Sequence, residues 1–239
     1  MIRRSSLLLV LIPAILVSCS GITKKEAACN TPEIINAFVA VNNGLVQADK
    51  NLKTNNALLY YSIDVKLSTE PERAKGTVEA SRKLKKWANE THQYIADLKK
   101  ELITLEDHIA PEEAYKIVDS LANVQNKDKY DNATRIMCGD GTVGSKGKAT
   151  ELKNKIIEFK KNLVSILPDS LRKSTNLGLK TEDPPRKGTQ LLTWETEKFY
   201  QLPLAAQIVI LSQLQIEIRH AEATVINELL KSLGTRVIN

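Results

Sequence analysis

LAAQIVILSQLQIEIRHAEATVINELLKSL, residues 204–233, decides the fold class. Leu204, Ile208, Leu211, Ile218, Ala221, Val225 and Leu229 return to one side at about 3.6 residues per turn, the period of a helix with an apolar face. The stretch predicts a long helix from Leu204 to about Leu233. Working outward, the same period recurs. Thr31-Pro32-Glu33 reads as an N-cap, a proline at the first helical position and a first-turn acid. Phe38, Val41, Leu45, Ala48, Leu52, Leu59 and Ile63 follow as a stripe that ends before Pro71. Thr69-Glu70-Pro71-Glu72 opens a second helix carrying Val78, Ser81, Lys85, Ala88, His92, Ile95, Leu98, Leu102, Leu105 and Ile109. Pro111-Glu112-Glu113 restarts a shorter one through about Leu121. A third long helix is predicted from about Lys146 to Leu167, with Leu152, Ile156, Phe159, Leu163 and Ile166 on one face.

No stretch shows the strict alternation of a strand. The expectation is an all-α antiparallel bundle of long helices, with residues 32–239 as one domain. Two interruptions stand out. Residues 124–145 are polar and Gly-rich and read as a loop. Residues 168–203 contain Pro168, Pro184, Pro185 and Pro203 and read as an irregular connection, apart from a helical turn at Asp169–Ser174.

The 239 residues are 42% hydrophobic and 26% charged, enough apolar material for a core and incompatible with a disordered or collagen-like chain. The net charge of +6 includes Arg3 and Arg4. The remaining lysine excess is spread over helices, as on a solvated surface, and no nucleic-acid partner is expected.

The first residues set the compartment. Met1-Ile-Arg3-Arg4 is a basic start, and Leu7–Val17 is an apolar run of about eleven residues, too short to span a bilayer and the right size for the core of a signal peptide. Leu16-Val17-Ser18-Cys19 resembles a bacterial lipobox. Residues 1–18 are therefore read as a lipoprotein signal peptide, Cys19 as the lipidated N-terminus and residues 19–31 as a tether, with the membrane as partner through the anchor. Ser20 replaces the aspartate that would retain a lipoprotein in the inner membrane, so the expected location is the outer membrane, facing the periplasm.

Familiar chemistry is spelled out but out of context. Gly139-x-Gly141-x-x-Gly144 matches the dinucleotide fingerprint without the strand and crossover it needs. Gly144-Ser-Lys-Gly147-Lys148-Ala149 lacks the first glycine of a phosphate loop and has Ala149 where a magnesium-binding hydroxyl belongs. Glu217-x-x-His220 has di-iron spacing but no second Glu-x-x-His. Trp194 and Phe199-Tyr200 fit a plug at the end of a core. Asp119-Ser-Leu and Asp169-Ser-Leu fit a degenerate O-glycosylation tripeptide. No residue is assigned to catalysis, to a cofactor or to a metal, and the chain is expected not to be an enzyme.

Three segments carry a resemblance to a known family. Pro32-Glu-Ile-Ile-Asn36-Ala-Phe38-Val-Ala-Val-Asn42-Asn43-Gly44-Leu45 is similar to the start of the periplasmic part of the GldM/PorM proteins. Tyr130-Asp131-Asn-Ala-Thr, followed by Lys148-Ala-Thr-Glu151-Leu-Lys153, is similar to its middle. Trp194-Glu-Thr-Glu-Lys-Phe199-x-x-x-Pro203-Leu-Ala-Ala206 continues through Leu211-x-x-Leu-Gln215 and Arg219-x-Ala-Glu222-Ala. The resemblance covers about residues 31–233 and implies the N-terminal helical domain of a stalk that serves gliding motility and type IX secretion. In that family a transmembrane helix joins a GldL-type ring. Here a lipid anchor stands in its place and the distal β-rich domains are not expected, which argues against motor activity.

The resulting reading is a non-enzymatic, lipid-anchored periplasmic scaffold or interaction protein accessory to that machinery. GldM- or GldL-type proteins, or a second copy of the chain, are its expected partners. The alternative is a periplasmic lipoprotein that binds a small ligand or an envelope polymer. Cys29 and Cys138 remain after lipidation. The second helix and its continuation return toward the anchor end, so the 124–145 segment is expected near Cys29, and an oxidising periplasm permits a bridge. Two unpaired thiols are the competing reading.

Overall fold

In the computed structural model, which describes residues 30–140, 146–185 and 192–234, the chain enters its first helix at Thr31. The Thr31 hydroxyl accepts the Ile34 N–H at 3.4 Å, and its carbonyl accepts from Ile35 at 3.0 Å. Helix α1 spans Pro32–Thr69, and after Glu70 helix α2 spans Pro71–Asp107, so each starts on the proline that the sequence marks. His108, at φ 53, turns the chain out of α2. Helix α3 is Pro111–Ile117, and a 3₁₀ turn follows at Leu121–Asn123. Helices α5 (Lys148–Ile166) and α8 (Leu204–Gly234) lie where their periodicity predicts, and α6 (Asp169–Arg172) is the expected short turn. Among the described residues there are eight α-helices and no strand, so the fold is all-α.

Two elements correct the expected loops. Helix α4, Asp131–Cys138, forms inside the stretch read as a loop. Its buried Ala133 and Met137, four apart, give it one apolar face, and Gly139 at φ 88 ends it. Helix α7, Trp194–Phe199, interrupts the irregular connection. Thr193 and Thr196 cap it reciprocally, each side chain taking the other's backbone N–H. A smaller correction concerns α2, whose inward face carries Leu84 and Thr91 while Leu105 is 44% exposed. Over so long a helix, a stripe read at three- and four-residue steps drifts off the core side.

The residues gather into two compact units, each assembled from segments distant in sequence. Among the described residues, the first comprises 30–45, 96–140, 146–151, 182–185 and 192–212, and the second 46–95, 152–181 and 213–234. In the first, α4 packs against α7, and Trp194 meets Phe199 edge-on at 5.9 Å between ring centroids. Both rings are buried, the plug expected of them, while Tyr200 points out at 49% exposure. Residues 204–212 of α8 are buried on every side, as in a helix at the centre of a core. Its first amides are not left open: Leu204 and Ala205 donate to the carbonyls of Lys129 and Lys127 at 2.7 and 2.9 Å. Gln207, fully buried, donates to the carbonyls of Phe199 and Leu202. Gly147 passes so close to α4 that a Cβ there would meet the Met137 carbonyl at 2.2 Å.

Within the second unit, helix directions can be read from paired side chains. Asp49 pairs with His92, and Lys85 lies over Tyr60, so α1 and α2 are antiparallel. Gln215 reaches His92 and Arg219 reaches Asn89, so α8 is antiparallel to α2 and runs in the same sense as α1. Lys155 lies over Tyr94, on the face that α5 shares with α2.

Candidate functional site

Helices bury apolar faces, yet the second unit holds a row of polar side chains in its interior. α1 contributes Asn56 and Tyr60 and the half-buried Asp49; α8 contributes Gln215, Arg219 and Glu222; α2 closes the row with the half-buried His92 and, at its exposed edge, Asn89. The centre is the Glu222 carboxylate, 1% exposed. Its Oε1 accepts from the Tyr60 hydroxyl at 2.8 Å. Its Oε2 accepts from Asn56 Nδ2 at 2.8 Å and from Arg219 Nη1 at 3.0 Å. Asn56 Nδ2 also donates to the Arg219 carbonyl at 3.0 Å, which ties α1 to the backbone of α8.

Arg219 continues the row. Its Nη1 donates to Asn89 Oδ1 at 3.2 Å, and its Nε stands 3.8 Å from Asp49 Oδ1. Asp49 also meets His92 Nε2 at 2.9 Å, and Gln215 Nε2 donates to the His92 carbonyl at 3.3 Å. A charge moved out of water is tolerated only when paired and hydrogen-bonded, and here the guanidinium lies between two carboxylates. Burial, followed by the Glu222 charge and the hydrogen bond to it, pushes Tyr60 far above the ordinary phenol range, so it remains a donor. Charge and hydrogen bonding are thus spent between helices. The row fixes which residue of α1 faces which residue of α8, a register that apolar contacts alone leave loosely set.

The first unit has smaller counterparts. Ser212 donates to Asn42 at 2.7 Å with both residues buried. Glu106 accepts from the Ala133 amide at 3.1 Å at the start of α4, and desolvation raises its pKa. Asp107 accepts the amides of Gln125 and Asn126 at 2.8 and 2.7 Å, pinning the chain that leads into α4.

Cys138, the last residue of α4, is half-buried with Sγ 3.8 Å from the Glu195 carbonyl. Burial chiefly, and the Glu195 charge next, push its pKa up to about 12. Cys19 and Cys29 lie outside the described residues, as do Gly141 and Gly144 of the fingerprint-like run. Gly139 follows helix α4 where a dinucleotide site requires a strand. Glu217 is bonded to Gln213 along α8, and His220 is exposed. Among the described residues no group of three His, Cys, Asp or Glu side chains is placed to hold a metal ion. No helix among them is long and apolar enough to cross a membrane.

Sequence reading places His92 on the apolar face of α2 but assigns it no partner, and it misses the rest of the row. One signal was available. Arg219 and Glu222, three apart on a helix otherwise apolar on nearly every side, had to be buried together or not at all.

Residues 33–232 match the family described as the GldM N-terminal domain. No curated protein matches the chain. The matched span runs from the first turn of α1 to the last turn of α8. It includes Gln215, Arg219 and Glu222 of the buried row.

Proposed function

The chain belongs to the GldM N-terminal domain family, and from that premise we propose that it is a non-enzymatic scaffold of the gliding-motility and type IX secretion apparatus. It is held at the outer membrane by lipid on Cys19 and faces the periplasm. The observation that carries this reading is the extent of the family match, which takes in all four long helices in one span. The buried row supports it: charged groups committed to holding three helices in register suit a rigid docking body.

Affinity purification of the tagged full-length protein from detergent-solubilised membranes tests the proposal. Enrichment of GldM- or GldL-type proteins over a control lipoprotein is the expected result. Their absence under mild crosslinking would remove the accessory role.

A further inference from the structure

The net charge of the whole chain hides how the fold distributes it. Among the described residues, the first unit holds nine Lys and Arg against 16 Asp and Glu, a formal charge of −7. The second unit holds 18 against 11, a formal charge of +7. Segments of the two units alternate along the chain, so the opposite excesses cancel in the composition and emerge only when the fold sorts them. Excesses that sum to zero leave copies without net repulsion, and each unit finds its complement in the other unit of a second copy.

Each unit also has an exposed apolar side chain set among charges of its own sign. In the second unit Ile157 is 45% exposed on the outer side of α5, away from the buried Leu152, Phe159 and Leu163. Lys153 stands four residues before it and Lys160 and Lys161 three and four after, the spacings that group side chains on a helix. Across residues 152–181 seven Lys and Arg meet only two acids. In the first unit Tyr115, on α3, is 71% exposed, more than any other large hydrophobic among the described residues. Glu112 stands three residues before it, and Asp119 is exposed just past the helix. An apolar centre inside a charged rim is how protein interfaces are built. Pairing either face with its own copy would set like charges together, whereas pairing one with the other matches rim and centre alike.

We propose that the chain associates head to tail with a second copy of itself, the α5 face around Ile157 seating on the α3 face around Tyr115 of the next copy. Such a contact joins unlike surfaces, so a pair still has one open face of each kind and assembly continues past two. Both faces are small, which makes the contact weak and exchanging. The inference rests on charge and fold alone and can hold or fail without the scaffold reading.

Sedimentation velocity of the purified full chain in non-ionic detergent, with no other protein present, tests it. At about 10 mM salt, where charges act over about 30 Å, the weight-average mass should rise with concentration past that of a dimer. At about 1 M, where they act over about 3 Å, it should return to that of one chain. Ile157→Ala/Lys161→Glu and Glu112→Lys/Tyr115→Ala change exposed side chains, and each double variant should stay monomeric with unchanged circular dichroism. Mixed, the two should form a one-to-one pair and nothing larger, because each keeps the face that the other lacks. A wild type monomeric at every concentration, association that high salt leaves intact, or association of either variant alone would overturn the inference. So would a monomer held more by phosphatidylglycerol than by phosphatidylcholine vesicles, which would assign the basic unit to an anionic lipid surface.

Discussion

The Tyr60 hydroxyl donates to Glu222 Oε1 at 2.8 Å, joining the middle of α1 to α8 through a carboxylate that also holds Arg219. Removing that carboxylate leaves a buried guanidinium with one of its two acids gone, so Glu222→Ala is expected to destabilise the fold by about 3–5 kcal/mol. Tyr60→Phe removes one donor and should cost about 1–3 kcal/mol. Because both act through one carboxylate, the double variant should lose less than the sum. Urea unfolding of the four proteins measures this, and strict additivity would mean that the two residues are not coupled.

Glu106 gives the stability a pH dependence of known sign. Burial raises its pKa in the folded state above the ordinary value of 4.5, outweighing the opposing Ala133 hydrogen bond. A raised carboxyl contributes stability that is complete below the unfolded value and is lost as pH rises through the folded value. Glu106→Gln keeps an acceptor for the Ala133 amide and cannot ionise. Its stability relative to wild type should therefore improve from pH 4 to pH 7, measured by urea unfolding at intermediate steps. A relative stability that falls over that range would contradict the assignment.

Two glycines should respond in opposite directions. A Cβ at Gly76, inside α2, would meet nothing within 4 Å. Gly76→Ala is expected to stabilise by about 0.4–1 kcal/mol, largely by restricting the unfolded chain. A Cβ at Gly147 would run into the Met137 carbonyl, the end of α4. Gly147→Ala should destabilise by about 1–3 kcal/mol, as overpacking does. Thermal unfolding of both variants checks the signs.

These contrasts mark what was legible in the sequence. Helix starts at Pro32, Pro71 and Pro111 could be read because proline at the first helical position is a local rule, and the faces of α5 and α8 because period survives any environment. α4 was hidden, since eight residues with two buried apolar ones hold barely two turns of period. α7 was hidden because its cap uses Thr196 where a glutamate or glutamine is the recognisable sign. Asn56 looks like a surface residue, and its burial follows only from what α8 brings to it; Asp49 and Asn89 stay partly open, and their pairing with His92 and Arg219 follows only from how α1, α2 and α8 pack. The aromatic plug of Trp194 and Phe199 was legible because both stand close together just before the apolar run of α8.

The proposed anchor has a direct test. If the lipobox-like Leu16-Val17-Ser18-Cys19 directs lipid to Cys19 as proposed, Cys19→Ala should abolish labelling by a clickable fatty acid and shift the protein out of the membrane fraction. Equal label on the variant would refute lipidation at that residue.

Cys138 bears on the proposed bridge to Cys29. The thiolate is the reactive form, and a pKa pushed up to about 12 leaves on the order of a thousandfold less thiolate at pH 8 than an ordinary cysteine has. Resistance of the native protein to alkylation is therefore expected with or without a disulfide and does not distinguish them. Unfolding removes the burial that protects the thiol. If the bridge forms, unreduced protein in denaturant should take up no iodoacetamide, and reduced protein should take up two equivalents by intact mass. In reduced but folded protein Cys138 should label only as the fold opens. Such a bridge would close a loop long enough to stabilise by about 4–5 kcal/mol in the chain-entropy picture, so reduction should also lower the unfolding midpoint. Two labels on unreduced, denatured protein would show both thiols free and rule the bridge out.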